Sequence, residues 1–299
     1  MFRILITGGS GFLGSILGKI LSTKYEVYAA YLNSQPPRFG VPLQFDIRDA
    51  EQVSRAFAAA RPDCVIHAAA LTKPDYCETH PQETSAVNVT GTRHIVHACN
   101  TRGAKLIHVS TDLVFDGKKG NYSEDDLPEG INEYSSSKIA AEHVVLAECP
   151  RAVILRLSVL YGPRDAVHPG FLDDMLAHWQ KGEAMGFFTD QYRNPTFAPQ
   201  VADAVERIVV EPRVAGLFHL GGAERLSRYE FATIVAGVVG APAELVGRGS
   251  MFDHPGPAKR PQDCSLVSEK IGRTFGLVPV RCAEGLSELL QQGHLTKFR

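Results

Sequence analysis

The chain has little that would tie it to a metal, a membrane or a nucleic acid. Its six cysteines (Cys64, Cys77, Cys99, Cys149, Cys264 and Cys282) are scattered through 299 residues with no C-x-x-C pair. Neither a zinc site nor a disulfide framework is expected from that spacing, and thiols in a reducing compartment are. No apolar run approaches the roughly 20 residues that cross a bilayer. The N-terminus enters a strand pattern at once, without the charged start, apolar stretch and small-residue cleavage site of a secretion signal. A cytoplasmic location is therefore expected. Lys and Arg number 31 against 33 Asp and Glu, a net charge of -2, with no long basic run. That balance argues against nucleic acid and anionic membrane as partners. The Asn-x-Ser/Thr matches at Asn88 and Asn121 are chance matches in such a compartment.

What the chain does have is a 44% hydrophobic content, enough for a full core, and a strict rhythm. Short apolar, β-branched runs occur at 2–6, 26–31, 42–46, 63–69, 105–110 and 152–157. Segments with helical spacing separate most of them, at 12–23, 49–60, 82–102 and 135–148. Strands that are apolar on both faces, alternating with helices, predict an α/β fold with a doubly wound parallel sheet of Rossmann type. After residue 163 the rhythm changes. Helices are predicted near 171–181, 199–210, 227–238, 266–275 and 283–292, with one further strand at 216–222. We expect a dinucleotide-binding domain over 1–163, rejoined by about 197–221. A smaller, partly interleaved substrate-binding domain is expected within 164–299.

The first strand runs into Thr7-Gly8-Gly9-Ser10-Gly11-Phe12-Leu13-Gly14 and then an amphipathic helix. A glycine turn ahead of a helix N-terminus suits a pyrophosphate, because the first N–H groups of the helix are unpaired and carry partial positive charge. Gly11 is expected to admit the phosphates and Gly14 to let the helix pack on the strand. Roughly 20 residues on, an acidic residue would select NAD through its ribose hydroxyl. Here the second strand ends Tyr31-Leu32-Asn33-Ser34. Without a carboxylate there, NADP(H) is favoured and NAD(H) stays open, with Arg38 a candidate for the extra phosphate. Asp46 and Ile47, ending the third strand, are candidates for the adenine edge.

Tyr134 and Lys138, in EYSSSKIAAE, are four residues apart and so share a helix face. An ammonium beside a phenol lowers its pKa from near 10, a tuning that acid–base catalysis uses. The strand at 105–110 ends in Ser110-Thr111-Asp112, where a hydroxyl could donate to a carbonyl oxygen while Tyr134 protonates it.

On these motifs the chain resembles the short-chain dehydrogenase/reductase superfamily in its extended branch. His67-Ala68-Ala69-Ala70, Asn88 and Leu160-Tyr161-Gly162-Pro163 add to the match. Within that branch it is most similar to dTDP-4-dehydrorhamnose reductases, through STDLVFDG at 110–117, DQYRNPT at 190–196, GLFHLGGAERLSRYEFA at 216–232 and RPQDCSL at 260–266. The resemblance implies Thr111, Tyr134 and Lys138 as catalytic residues, with Tyr134 giving a proton to a sugar C4 ketone as the nicotinamide delivers hydride. It implies that Gly8, Ser10, Gly11, Phe12 and Leu13 hold the pyrophosphate and that Ala68, Ala69 and Ala70 line the cofactor cleft. Lys138 would hold the nicotinamide ribose, and Asn88 would support the local structure or a water. Arg193 and Arg260, each within a matching motif, are candidate cations for a nucleotide-sugar substrate.

Three positions depart from the family pattern: Ser135 after Tyr134, the segment following Gly162, and Arg228, where Trp is frequent. Other readings stay open. A nucleotide-sugar dehydratase would carry a second acid after Asp112, where this chain has Leu113. An epimerase, or a non-catalytic NADP-binding subunit like the regulatory one of methionine adenosyltransferase, shares most of these motifs. The partner implied is a small nucleotide sugar, with a homodimer left open.

Overall fold

The structure is a computed structural model that describes residues 1–163, 170–253 and 256–298. Six strands come first: β1 (Arg3–Thr7), β2 (Glu26–Tyr31), β3 (Val41–Gln44), β4 (Cys64–His67), β5 (Lys105–Thr111) and β6 (Val153–Leu157). The short strands β7 (Leu160–Tyr161), β8 (Met185–Phe188), β9 (Tyr192–Arg193) and β10 (Thr196–Phe197) then leave the sheet. β11 (Gly216–Leu220) returns to it, and β12 (Leu226–Ser227) and β13 (Val246–Gly249) pair elsewhere, with β9 and β8. The central sheet has the order β11-β6-β5-β4-β1-β2-β3, every pairing parallel.

Both faces of that sheet are covered, which is why its strands read as unbroken apolar runs. On β1, Ile4 and Ile6 face α1 (Phe12–Leu21), and Leu5 faces the opposite layer. The first layer adds Val201, Val205 and Ile208 of α8 (Ala198–Val210), with Ile271 and Phe275 of the Glu269–Phe275 helix. The second is built on α2 (Ala50–Ala60), and its apolar residues include Val53, Phe57, Ile95, Val96, Val144 and Val145. A third cluster, with Trp179, Phe187, Phe231, Val235 and Leu286, lies outside the sheet.

Two local features differ from the sequence expectation. A helix α3 (Pro74–Thr79) was not anticipated, although Pro74 at its first turn and Asp75 behind it are start signals. The helix expected over 82–102 is instead α4 (Pro81–Ser85), a π-helical turn at Ala86–Thr90, and α5 (Gly91–Arg102). A side chain at Gly91 would stand 2.7 Å from that of Ile47, so close packing against the end of the third strand falls at this bulge. The divergent segment 164–169, which also holds the expected domain boundary, lies outside the described residues. No helix among the described residues is long and apolar enough to cross a membrane. None of the His, Cys, Asp and Glu described forms a group of three or more able to hold a metal.

Candidate active site

The three glycines of the first turn do different things. Gly8 has φ +71°, and a Cβ there would sit 2.9 Å from the Ala69 amide nitrogen, so it lets β1 and the loop after β4 touch. A Cβ on Gly14 would collide with the Gly8 carbonyl oxygen, so Gly14 lets the helix close onto the turn itself rather than onto the strand. Only Gly11 faces open space, apart from the Gly8 carbonyl 3.2 Å away. It is the N-cap of α1, which has no side-chain cap and no acidic residue in its first turn. The leading N–H groups of α1 therefore lack intrahelical acceptors and meet no competing carboxylate, an arrangement that fits a dinucleotide pyrophosphate. Ser34 donates to Ser10 across 2.6 Å, tying the end of β2 to this loop, and Asn33 beside it is exposed. Leu13 is buried in the core, while Phe12 packs against Gly170 at the start of α7 (Phe171–Gln180). Asp46 has a partner of its own: Arg48 grips both carboxylate oxygens at 2.6–3.0 Å, and Ile47 is buried.

Tyr134 and Lys138 lie on α6 (Glu133–Glu148), whose start is fixed by Asn132 accepting from the Ser135 amide. The buried stripe extends one turn further than the motif, to Glu142. Thr111, at the end of β5, donates its hydroxyl to Asp112 Oδ1 at 3.2 Å and accepts from the Leu113 amide, and it stands near enough to Tyr134 to act on its phenol. Burial pushes its phenol well above the ordinary range, with Asp112 and Cys77 adding to that and Thr111 opposing it. The expected lowering by Lys138 is not what the structure shows. Lys138 Nζ instead donates to the Val109 carbonyl at 2.8 Å and contacts His108 Nε2 at 3.2 Å. Burial brings Lys138 down to about 8, resisted by Glu142.

Two rows of polar side chains cross one face of the buried sheet, and the sequence reading passed over both. In register on β1, β4 and β5 stand Thr7, His67 and His108. The Ala69 amide donates to Thr7 Oγ1, which lies 2.7 Å from His67 Nδ1; His67 Nε2 lies 3.0 Å from Thr92 Oγ1, which donates to the Asn88 carbonyl. This chain of partners suits a neutral His67, and burial lowers its pKa to about 3. Asn88 itself bonds both the amide and the carbonyl of Leu71 and reaches Ser137, one turn from Tyr134. Two residues further along β5, and so on the same face, Ser110 aligns with Arg156 of β6 and His219 of β11. Glu142 receives Arg156 at 2.6 and 2.9 Å and the Ser110 hydroxyl at 2.5 Å. The signal available beforehand was the Tyr134-Lys138-Glu142 spacing, since an acid on a buried stripe needs a cation.

Of the two candidate substrate cations, Arg193 is redirected by the structure. Its guanidinium is buried, donates to the carbonyls of Tyr192, Pro261 and Gln262, and lies 3.5 Å from Asp112. Burial raises the pKa of Asp112, against the pull of Arg193, and Ser158 donates to it at 2.6 Å. These contacts make Arg193 a strut between β9 and the 260–266 segment. Arg260 is partly exposed and pairs with Asp75 of α3 at 2.5 Å.

A Lys whose pKa is lowered on folding binds fewer protons in the native than in the unfolded chain, here between about 8 and the ordinary 10.5. Stability then rises with pH across that window. Wild type should therefore gain stability relative to Lys138→Met as pH rises from 8 to 10. Urea unfolding of both proteins at several pH values checks this, and parallel curves would refute the burial of a titrating ammonium.

A parallel sheet with an uncapped glycine turn at one strand end, and a Tyr-Lys helix against another, is the architecture of Rossmann-type dehydrogenases and reductases. Within that class, the chain belongs to the RmlD substrate binding domain family, which it matches over residues 2–295. It is 35% identical over 275 residues to a probable low-salt glycan biosynthesis reductase of Haloferax volcanii, covering 89% of this chain and 91% of that one. Identity to the dTDP-4-dehydrorhamnose reductase of Aggregatibacter actinomycetemcomitans is 32%, over 93% and 95% of the two chains. Among solved structures, the Bacillus anthracis dTDP-4-dehydrorhamnose reductase in complex with NADP superposes with a TM-score of 0.88 at 27% identity, covering 98% of this chain and all of that one.

Proposed function

We propose that this chain is an NADPH-dependent reductase of a 4-keto sugar nucleotide, of the dTDP-4-dehydrorhamnose reductase type. The observation that carries the reading is the meeting of Thr111 and Tyr134, with Lys138 one turn behind, at the carboxyl end of the sheet that also bears the open turn at Gly11. Strand ends on that side of a doubly wound sheet are where ligands bind. NADPH, when bound, supplies the hydride for C4 of the sugar. Tyr134, kept as a neutral phenol by burial, gives its proton to the ketone oxygen as negative charge develops there. Thr111 is placed to donate to the same oxygen. Lys138, one turn behind Tyr134 and held by the Val109 carbonyl, serves the nicotinamide ribose. Gly8, Ser10, Gly11, Phe12 and Leu13 serve the pyrophosphate, and Ala68, Ala69 and Ala70 the cleft wall; Asn88 holds the loop after β4 to the catalytic helix. The sheet-bearing part takes the dinucleotide, and the part gathered around the third apolar cluster takes the substrate.

Purified protein should consume NADPH in the presence of dTDP-4-dehydrorhamnose, followed by the loss of NADPH absorbance. Binding of NADPH with no turnover of any 4-keto sugar nucleotide would favour a non-catalytic role instead. Because β2 ends in Asn33 and Ser34 with no carboxylate to repel a 2′-phosphate, NADPH should bind at least as tightly as NADH. Titration of both under one salt condition decides this, and a clear preference for NADH would remove these residues from the selection.

A further inference from the structure

Arg228, the residue that departs from the family pattern, opens the helix α9 (Arg228–Val239), and its side chain is half-buried. Its Nε donates to Gln191 Oε1 at 3.2 Å and its guanidinium lies 5.2 Å from the centre of the Phe171 ring. Among the described residues no carboxylate lies within ion-pair distance of it, and its terminal NH₂ groups have no hydrogen-bond partner. Arg193 and Arg260 stand near enough to act on it electrostatically, as does Asp112. Arg193 is matched by Asp112 and Arg260 by Asp75. Among the described residues, three arginines thus share two carboxylates, and the surplus charge falls on Arg228.

A half-buried cation without a counter-ion carries a desolvation cost that a bound anion would offset, and its outer N–H groups stay open to one. The sheet order says which anion. Asp112 follows β5, and β5 lies on the far side of β1 from β2, where a 2′-phosphate would sit. The charge is therefore on the side of the catalytic residues away from the adenosine end. We propose that Arg228 seats the diphosphate of the nucleotide-sugar substrate, presenting its outer NH₂ groups to the phosphate oxygens, with Phe171 and Gln191 fixing the plane of the guanidinium. Planar bidentate donation is what distinguishes arginine from lysine at phosphates. This inference rests on the reading of the protein as a sugar-nucleotide reductase.

The test uses the full-length protein with dTDP and thymidine as probes, in calorimetric titrations of wild type, Arg228→Met and Arg228→Lys. Wild type should bind dTDP well above thymidine. Arg228→Met should weaken dTDP by about 30-fold and leave thymidine and NADPH unchanged, with Arg228→Lys between the two. Loss of NADPH binding in parallel, or a melting temperature lowered in both variants, would mean that Arg228 is a folding residue and would overturn the proposal. So would undiminished dTDP affinity in Arg228→Met, or no dTDP binding by wild type. Turnover separates this from the functional reading: Arg228-dependent dTDP binding with no reductase activity sinks the reading and leaves the seat. Normal kinetics in Arg228→Met, beside an active wild type, do the reverse.

Discussion

Replacing Tyr134 by Phe is expected to lower turnover by about 10²–10⁴-fold, the range that a positioned general acid contributes. The substitution removes one oxygen and keeps the ring, so the packing of α6 and the contacts of Lys138 with Val109 and His108 persist. NADPH affinity should change little. The direction of the Tyr134 shift sharpens the expectation. A phenol raised by burial is a weak acid, yet an alkoxide is a stronger base than a phenolate, so transfer to a developing alkoxide still runs downhill. Single-turnover NADPH oxidation and cofactor titration of the variant provide the measurement. Activity within tenfold of wild type would remove Tyr134 from the role of acid.

Arg156→Met should destabilise the fold by about 3–5 kcal/mol, because it strands the Glu142 carboxylate in the interior. The side chains of Arg156 and Glu142 are 3% and 2% exposed, and Ser110 is the other donor to that carboxylate. Neutralising both partners should be far milder: Glu142→Leu with Arg156→Met is expected to recover most of the loss, since two apolar side chains leave no unpaired charge. Chemical denaturation of the two singles and the double gives the coupling energy, and additive losses would contradict a directly paired buried charge. There is also a functional consequence. Glu142 resists the lowering of Lys138, so Glu142→Gln should bring the alkaline fall in activity to lower pH.

The order of strands and helices was legible in the sequence because a sheet covered on both faces makes most strand positions apolar. β1, β2, β5 and β6 fall within a residue of their expected ends. The π-helical turn at Ala86–Thr90 was not legible; directly after it Gly91 packs against Ile47, some forty residues earlier, a contact that no local pattern announces. The polar rows Thr7-His67-His108 and Ser110-Arg156-His219 escaped notice for a related reason. Each strand contributes only one or two of these residues, and a histidine in KLIHVS looks incidental until the register puts its neighbours beside it. One atom of the first row is still unmatched: His108 Nδ1 is buried without a hydrogen-bond partner among the described residues.

By itself, then, the amino-acid order determined what is local or periodic. That covers the doubly wound sheet, the glycine turn before α1, the one-turn spacing of Tyr134 and Lys138, and the missing acid at the end of β2. These follow from helical and extended periodicities and from the steric freedom of glycine, which need no distant partner. Only the tertiary structure decided which charges are free. It spent Arg193 on three carbonyls and Asp112, closed Asp46 with Arg48, turned Lys138 toward Val109, and left Arg228 with one neutral partner and no counter-ion among the described residues. The physical reason is that the electrostatic fate of a side chain depends on burial and on the nearest opposite charge. Both are set by residues that chain folding brings together from far apart in the sequence.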